Sequence, residues 1–223
     1  MPDAARYPKR SAHAARTREA IIAAAAELFS AQGYTGTTMK AIAITAGVSV
    51  ESVYLAGSKS SLLATAMTVA FTGREGDRPL AEDPAYAAVF ALPDPNLALN
   101  RYVELVSASI ARSVGLWRTA RAAADVEPEI RRLFDEVLAR RRSDLELAGP
   151  WLVAHRLITP AEADDVVASL SVLVSHEVYE HLVVQFGWPV TKYSAWLRSA
   201  IDRLILNSAD RPAESSPTEQ GRP

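Results

Sequence analysis

The stretch that decides the fold is TTMKAIAITAGVSVESVY, residues 37–54, which predicts two short helices joined by a tight turn. Thr37 or Thr38 is placed to cap the first helix, because a side-chain oxygen there satisfies backbone N–H groups that lack a helical partner. Gly47 follows where that helix must stop, and glycine tolerates the left-handed conformation of a helix C′ position. Ser49 is the corresponding cap of the second helix.

The spacing inside this stretch indicates two helices that cross steeply. Ala43 supplies the small residue needed where the helices come closest, and Val48 and Val53 are placed to pack back onto the first helix. Ala43, Gly47 and Val53, four and then six residues apart, form the skeleton of a DNA-binding helix-turn-helix. The alternative is a helical hairpin that binds no nucleic acid. Since caps, turn and apolar positions all agree, the helix-turn-helix is favoured.

The flanking residues extend the pattern in both directions. Upstream lie TREAIIAAAAELF, residues 17–29, and GYTGTT, residues 33–38; downstream lie Tyr54, GSK at residues 57–59, and Leu62-Leu63. Over roughly residues 16–64 this order resembles the N-terminal DNA-binding domain of the tetracycline-repressor (TetR) family of transcription regulators. The connection from Tyr54 to Lys59 is one residue shorter than is usual in that family. We expect this to change how the third helix packs on the fourth, and how far Lys59 reaches.

The resemblance implies which residues meet operator DNA. The second helix of the motif would enter the major groove, with phosphate contacts at its flanks. By position in the motif, the groove residues are Ser49, Val50, Glu51 and Ser52, the backbone contact is Tyr54, and the phosphate contacts are Thr38, Lys40 and Lys59. Glu51 is unusual beside phosphate, so it either accepts from a cytosine amino group or avoids the DNA.

Charge is divided unevenly along the chain, although the total is only −2. Residues 1–65 carry seven Lys and Arg against four Asp and Glu, or +3, and residues 66–223 carry seventeen against twenty-two, or −5. A basic N-terminal part (the head, residues 1–65) followed by an acidic remainder (the body, residues 66–223) is expected when only one end of the protein contacts phosphate.

The chain has no cysteine, which excludes disulfides, thiolate zinc sites and thiol redox sensing. No stretch approaches the eighteen apolar residues of a membrane span, so a cytoplasmic protein is expected.

The whole chain is predicted to be all-α. The expected domains are a basic flexible arm at 1–15, the helix-turn-helix domain at 16–64, a helical ligand-binding and dimerisation domain at 65–207, and a disordered tail at 208–223. Within these, the first helix should span about 15–32.

Glycine and proline predict the helix ends within the body. Gly115 is expected to end the helix that contains Leu99 and Ile110, and Gly149-Pro150 should break or kink the helix that opens at Pro128. The last helix, from about 191, carries an apolar stripe over 193–204. The resemblance implies that the last two long helices pair with a second subunit, and this stripe is predicted to lie in that homodimer interface.

The resemblance also implies a small-molecule effector bound among the body helices, with no cofactor. The predicted walls of this pocket are body aromatics, for which the alternative is an ordinary core position. They are Tyr102, Trp117, Phe134, Trp151 and Tyr179.

Two further clusters are weighed against simpler interpretations. His176 and His181 are five apart, about 140° around a helix, so they point away from each other and catalytic zinc is not expected. Glu177 and His181 belong to a ligand pocket, a subunit seam or an exposed helix end. The run Arg140–Arg142 is interpreted as a solvated face neutralised by acidic residues four apart.

Two functions follow from these observations. The favoured one is a homodimeric transcription regulator, most simply a repressor that a small molecule releases from its operator. No nucleophile–base pair, carboxylate dyad or phosphate loop stands out, so no enzymatic activity is predicted. The alternative is an all-helical small-molecule-binding protein or enzyme whose DNA-binding head is vestigial, and salt-dependent binding to DNA discriminates between the two.

Overall fold

The computed structural model describes residues 6–76 and 78–209, with the side chains of 12–76 and 78–205. Within these ranges every regular element is helical and no strand occurs, so the predicted all-α fold is confirmed. No single described helix is long and apolar enough to cross a membrane, and only one bent pair, Met39–Ala46 with Val50–Ala56, reaches that length and composition together.

The N-terminal part contains α1 (Arg6–Gly36), α2 (Met39–Ala46), α3 (Val50–Ala56) and α4 (Lys59–Thr72). α1 leaves helical geometry at Gly33, with φ 71° and ψ 179°, where its end is predicted. α2 and α3 meet at 107°, within the range typical of a helix-turn-helix. Gly47 makes this turn in the left-handed region, φ 67°, and its N–H donates to the carbonyls of Ala43 and Ile44. The predicted helix-turn-helix is confirmed.

The body is a bundle arranged around one central helix. Its elements are α5 (Pro84–Phe90), α6 (Pro95–Ala124), α7 (Pro128–Glu146), α8 (Ala148–Ala154), α9 (Ala163–Leu173), α10 (His176–Tyr179), the π-helical segment Glu180–Gln185 and α11 (Val190–Ala209). α5, α6 and α7 each begin with a first-turn proline, a position where the missing N–H costs nothing. α6 contacts α1, α4, α5, α7, α10 and α11, so it joins the head to the body.

The predicted helix end at Gly115 is wrong. α6 runs unbroken from Pro95 to Ala124. A Cβ on Gly115 would lie 3.0 Å from both Cβ and Oγ of Ser30, so glycine is present because α1 passes close by. Glycine costs roughly 1 kcal/mol in a helix, and here the close packing of α1 offsets that cost. One turn further along α6, the Thr119 hydroxyl donates to the Phe29 carbonyl at 2.7 Å.

The hydrophobic core of the head continues into the body. Phe29, Leu63 and Met67 belong to the same buried cluster as Leu116 and Trp117 of α6. α4 also runs through the predicted domain boundary at 64/65. The head is therefore packed onto α6, and side chains on α6 support both parts.

The predicted ends of the chain differ from the structure in one respect. Residues 6–15, expected as part of the flexible arm, form the first turns of α1, and residues 1–5 lie outside the described residues. Residues 12–20 include four alanines, and adding turns to an existing helix is much easier than starting one. Of the predicted tail, 208–209 end α11 and 210–223 lie outside the described residues.

The break predicted at Gly149-Pro150 occurs two residues earlier. α7 ends at Glu146 and α8 begins at Ala148, with Leu147 between them. Pro150 thus falls in the first turn of a new helix, where its missing N–H needs no partner.

The apolar stripe of α11 faces inward, which corrects the expectation that it lies in a subunit interface. Tyr193, Leu197 and Ile201 are each 0% exposed. They belong to the second core cluster of the body, together with Val106 of α6 and Leu170 of α9. The stripe is satisfied within one chain, so an interface on α11 would need its other side.

Candidate functional site

The side chains predicted to meet DNA are mostly exposed around α2 and α3. Thr38, Lys40, Ser49, Val50, Glu51 and Tyr54 are exposed, and Ser52 and Lys59 are half-buried. Tyr54 has 63% of its surface exposed and Val50 37%. Val53, by contrast, is 0% exposed and holds α3 against the core. α3 therefore has a buried apolar side and a solvent-facing side that carries the predicted DNA contacts.

Hydroxyl groups cap the helices of the motif as predicted. The Thr38 Oγ1 accepts from the N–H of Ala41 at 3.0 Å. The Ser49 Oγ accepts from the N–H of Ser52 at 3.1 Å, and the two serine hydroxyls lie 2.9 Å apart. A capping hydroxyl still has its own proton, which it can donate to a phosphate oxygen. Each cap therefore stabilises its helix and presents a donor at the helix N-terminus, which already favours anions.

The short connection between α3 and α4 consists of Gly57 and Ser58. Gly57 has φ 149°, and a Cβ there would lie 2.4 Å from the Ser61 Oγ, so the connection requires glycine. Arg18 of α1 secures it by donating from Nη1 to the Ala56 carbonyl at 2.9 Å, while pairing with Glu75 at 2.8 Å. The shortened connection thus keeps α3 and α4 tightly joined.

Lys59, the first residue of α4, is held against an aromatic ring. Its Nζ lies 4.2 Å from the centroid of the Tyr34 ring, a cation–π contact. Partial burial lowers the pKa of Lys59, and Glu127 opposes that shift. The ring fixes the direction of the side chain, so its predicted phosphate contact would come from an ordered group.

Two exposed apolar residues near the motif were missed by the sequence analysis. Leu55 is 83% exposed beside Tyr54, and Ile44 of α2 is 72% exposed. Apolar side chains contact thymine methyl groups in DNA complexes. Their position off the buried stripe of Ile42, Ala43 and Val53 was the signal that could have identified them.

The body encloses a cavity of about 450 Å³ between α4, α6, α7, α8 and α9. Its wall is mainly apolar, and residues of α4 from Met67 to Thr72 form one side. The charged and imidazole side chains on the wall are Arg78, Arg140, Arg141, Asp144 and His176. A concave, apolar cavity with a few polar groups is the usual form of a small-molecule site.

Three of the five predicted pocket aromatics lie on this wall. They are Tyr102, Trp117 and Trp151. Phe134 and Tyr179 do not line the cavity, which corrects their predicted place. Phe134 packs edge-on against Trp117 with centroids 4.9 Å apart, and Tyr179 packs in the same way on Tyr193 at 4.9 Å. Both fill core positions behind the wall, the alternative that helical spacing leaves open.

A buried Ser–His pair on the cavity wall was not anticipated. The Ser113 Oγ lies 2.8 Å from the His176 Nε2, and its hydroxyl donates to the Ser109 carbonyl at 2.8 Å. The proton between serine and histidine therefore comes from Nε2, which leaves Nδ1 as a bare acceptor. This Nδ1 is buried and has no hydrogen-bond partner among the described residues. Burial, together with Arg141, lowers the pKa of His176 to about 3, so the ring is a poor general base near pH 7.

The two histidines predicted to diverge lie in different surroundings. His176 is buried and stacks on Trp117, with centroids 4.2 Å apart and planes 3° from parallel. His181 is exposed, with its Nδ1 3.0 Å from the Gln185 Oε1. Glu177 accepts from the Trp117 indole N–H at 2.8 Å, so it supports a cavity residue. In the described part of the chain, no group of three or more His, Cys, Asp or Glu is placed to hold a metal.

His176 predicts a pH dependence of folding. The unfolded chain binds a proton at the ordinary histidine pKa of 6.5, whereas the folded ring does so only near 3. Between these values the unfolded state holds more protons, so stability present above pH 6.5 is lost as the pH falls. The expected loss is about 2 kcal/mol by about pH 5.

Urea denaturation at pH 7.5 and pH 5 measures this loss. His176→Gln should remove most of the difference between the two pH values, while the same change at the exposed His13 should leave it unchanged. An equal pH dependence in His176→Gln would show that another group is responsible.

Three comparisons with known proteins bear on this arrangement. Residues 21–66 match the family model of bacterial regulatory proteins of the tetR family, and no curated protein matches the chain. A TetR-family transcriptional regulator from Mesorhizobium loti MAFF303099 aligns at a TM-score of 0.65 and 19% identity, covering 87% of this chain and 97% of its own. A protein from Pseudomonas aeruginosa PAO1, described as a transcriptional regulator, aligns at 0.64 and 20%, covering 85% and 90%.

The similarity in fold extends over the body as well as the head. A transcriptional regulator of the TerR/AcrR family from Aquifex aeolicus VF5 aligns at a TM-score of 0.59 and 18% identity, covering 83% of this chain and 97% of its own. The family match lies on α1 to α4, where the helix-turn-helix geometry is found. Residues 21–66 therefore carry the DNA-binding domain of the tetR family of bacterial regulatory proteins, and the described residues as a whole share the fold of these solved transcriptional regulators.

Proposed function

We propose that this protein is a homodimeric repressor that binds operator DNA through its head and is released by a small molecule bound in its body. The observation that supports this most is the placement of α4. Its first residue, Lys59, adjoins the helix-turn-helix, and its last two turns, from Met67 to Thr72, line the cavity. A molecule that fills the cavity would therefore press on the helix that positions the DNA-binding head. Such a protein would work in the cytoplasm, where it meets DNA.

Contacts at both ends of α4 support this coupling. Arg112 of α6 donates to the carbonyls of Ala70 and Phe71, at 3.0 and 3.1 Å, so the C-terminal end of α4 is tied to the body. Arg18 of α1 connects the two ends of α4. It donates to the Ala56 carbonyl at the end of α3, just before α4, and pairs with Glu75, which follows α4 and precedes Gly76 on the cavity wall. A ligand that prefers one position of α4 shifts the population of heads able to bind DNA.

Two-fold symmetry supports the proposed homodimer, because one short recognition helix reads few base pairs and a second copy doubles the contact. Exposed apolar side chains near the last two long helices offer a surface for it. Val172 of α9 is 60% exposed, and Val184 and Phe186 are 49% and 64% exposed. We place the interface on this side and away from the buried stripe of α11.

The proposal is tested by the salt dependence of DNA binding. Lys59→Ala should weaken binding to all sequences and reduce the slope of log K against log salt by about one unit, since one phosphate contact releases about one counterion. Lys192→Ala is the matched control, because Lys192 makes the same kind of contact, 4.1 Å over the Trp188 ring, but lies on α11. Fluorescence anisotropy with DNA from the region flanking the gene gives both slopes.

Ser52→Ala should instead change the preference among base pairs with little change of salt slope. Equal loss of specificity in Lys59→Ala and Ser52→Ala would contradict these assigned roles. Parent protein that shows no salt-dependent binding to any DNA would favour the second candidate, a small-molecule-binding protein, which the apolar cavity itself supports.

A further inference from the structure

The cavity wall carries a guanidinium group that forms no ion pair with any described residue. Arg141 was expected on a solvated, self-neutralised face, and its neighbour Arg142 fits that interpretation by pairing with Glu146 at 3.0 Å. Arg141 is partly buried on the cavity wall. Its Nη2 donates a hydrogen bond to the Ser171 carbonyl at 2.7 Å. The expectation is therefore wrong for Arg141, because one residue of helical rotation turns it inward.

The nearest carboxylates are engaged elsewhere. Glu177 favours the charged form of Arg141 through space, but its Oε1 accepts from the Trp117 indole at 2.8 Å and lies 3.4 Å from Arg121. Asp144 accepts from the N–H of Leu80 at 2.8 Å. Among the described residues, no acidic side chain forms an ion pair with Arg141, and burial lowers the pKa of its guanidinium.

A partly buried cation without a counter-charge is costly unless something pairs with it. The remaining guanidinium donors can bind a planar anion in bidentate geometry. Most of the wall is apolar and aromatic, with Phe71, Trp117 and Trp151 on it. The site thus offers a cationic anchor at Arg141 and a large apolar surface that a hydrophobic group can cover.

We propose that the effector is an organic acid whose carboxylate pairs with Arg141 while its apolar body fills the cavity between α4 and α8. This rests on the proposed function, in which the same cavity takes the regulatory ligand. A monoanion fits better than a phosphate dianion, because the Asp144 carboxylate also lies on the wall and would repel extra negative charge. Arg78, exposed on the same wall, would attract the acid from solution.

The bare Nδ1 of His176 adds a second element of recognition. It is a buried acceptor on the same wall, without a partner among the described residues. A hydroxyl or N–H on the body of the acid would satisfy it, and an acid with such a donor should bind better than one without.

The test compares acids with their uncharged primary amides in DNA-free protein. Isothermal titration would use three pairs: decanoate, 4-phenylbutanoate and indole-3-acetate, each with its amide. In the parent protein we expect each acid that binds to do so at least about tenfold more tightly than its amide. Arg141→Met should abolish this preference, whereas Arg142→Met, one residue away on the exposed face, should preserve it. Arg141→Lys should retain part of it.

Each outcome decides the inference separately from the proposed function. Arg141→Met should melt at or above the parent temperature because it removes an uncompensated charge, so lost acid binding would not reflect unfolding. Amides that bind as tightly as acids would overturn the acidic class while leaving a ligand-regulated cavity in place. Absence of binding by all six probes at about 1 mM would also overturn the proposal of an acidic effector. Operator binding by the ligand-free protein is measured separately and would still support the proposed DNA-binding function.

Discussion

Leu197→Arg is expected to unfold the body of this protein rather than merely to separate two subunits. Leu197 is 0% exposed, and it lies in the core formed by α6, α9 and α11. The substitution removes a buried leucine and places a charge in an apolar core. Each effect alone costs several kcal/mol, so a loss of roughly 5 kcal/mol or more is expected. Most of the stability of an ordinary domain would be gone.

Circular dichroism and sedimentation together distinguish unfolding of the body from separation of two subunits. Ser199→Arg, on the exposed side of α11, should melt near the parent temperature. Phe186→Asp should keep the helical signal and, if the proposed homodimer forms through this surface, shift the sedimentation coefficient towards that of a monomer, since Phe186 is 64% exposed. A Leu197→Arg protein that stays folded but becomes monomeric would contradict the buried position and place the α11 stripe in the interface.

Trp117→Ala is expected to cost about 3–5 kcal/mol and to weaken operator binding at the same time. Trp117 is 4% exposed, stacks on His176, packs edge-on against Phe134, and donates its indole N–H to Glu177. It also belongs to the core cluster that includes Phe29 and Leu63 of the head. Removing the ring therefore loosens the support of α1 and α4, and with it the position of the helix-turn-helix.

Trp151→Ala is the matched comparison, because Trp151 is another tryptophan on the cavity wall. Its ring is only partly buried, packs on Phe90 and belongs to the second core cluster, away from the head. We expect a smaller loss of stability, operator affinity near that of the parent, and an altered ligand response. Thermal melting with operator titration, with and without decanoate, measures all three. A Trp117→Ala protein that melts near the parent and binds operator normally would show that Trp117 is dispensable for packing.

Local chemistry made the head predictable from sequence. Thr38 and Ser49 cap helices and Gly47 takes the left-handed turn, as predicted, and α1 leaves helical geometry at Gly33, where its end was predicted. Each depends on backbone groups within about four residues, so the information lies in the same short stretch. The same holds for Pro128, which was predicted to open a helix and lies in the first turn of α7.

Residues that act at a distance were predicted less well. Gly115 looks like a helix end, but it lies inside α6 because Ser30 of α1 packs against it. Phe134 and Tyr179 occupy inward-facing positions of their helices, as the cavity aromatics do. Each packs against a neighbouring ring, Trp117 and Tyr193 respectively, and therefore lies behind the cavity wall. Spacing shows that a residue faces inward, without showing whether it meets a cavity or another side chain.

The sequence by itself determined the helix-turn-helix, the all-helical class and the basic head, because these depend on neighbours in the chain and on composition. Only the tertiary structure decided which inward residues surround empty space, and which charges lose their partners. Arg141 shows the reason. In sequence it belongs to a run balanced by acids four residues away, but the packing of α7 on α9 directs it to the Ser171 carbonyl and the cavity, while Glu146 pairs with Arg142 and Asp144 accepts from the Leu80 N–H.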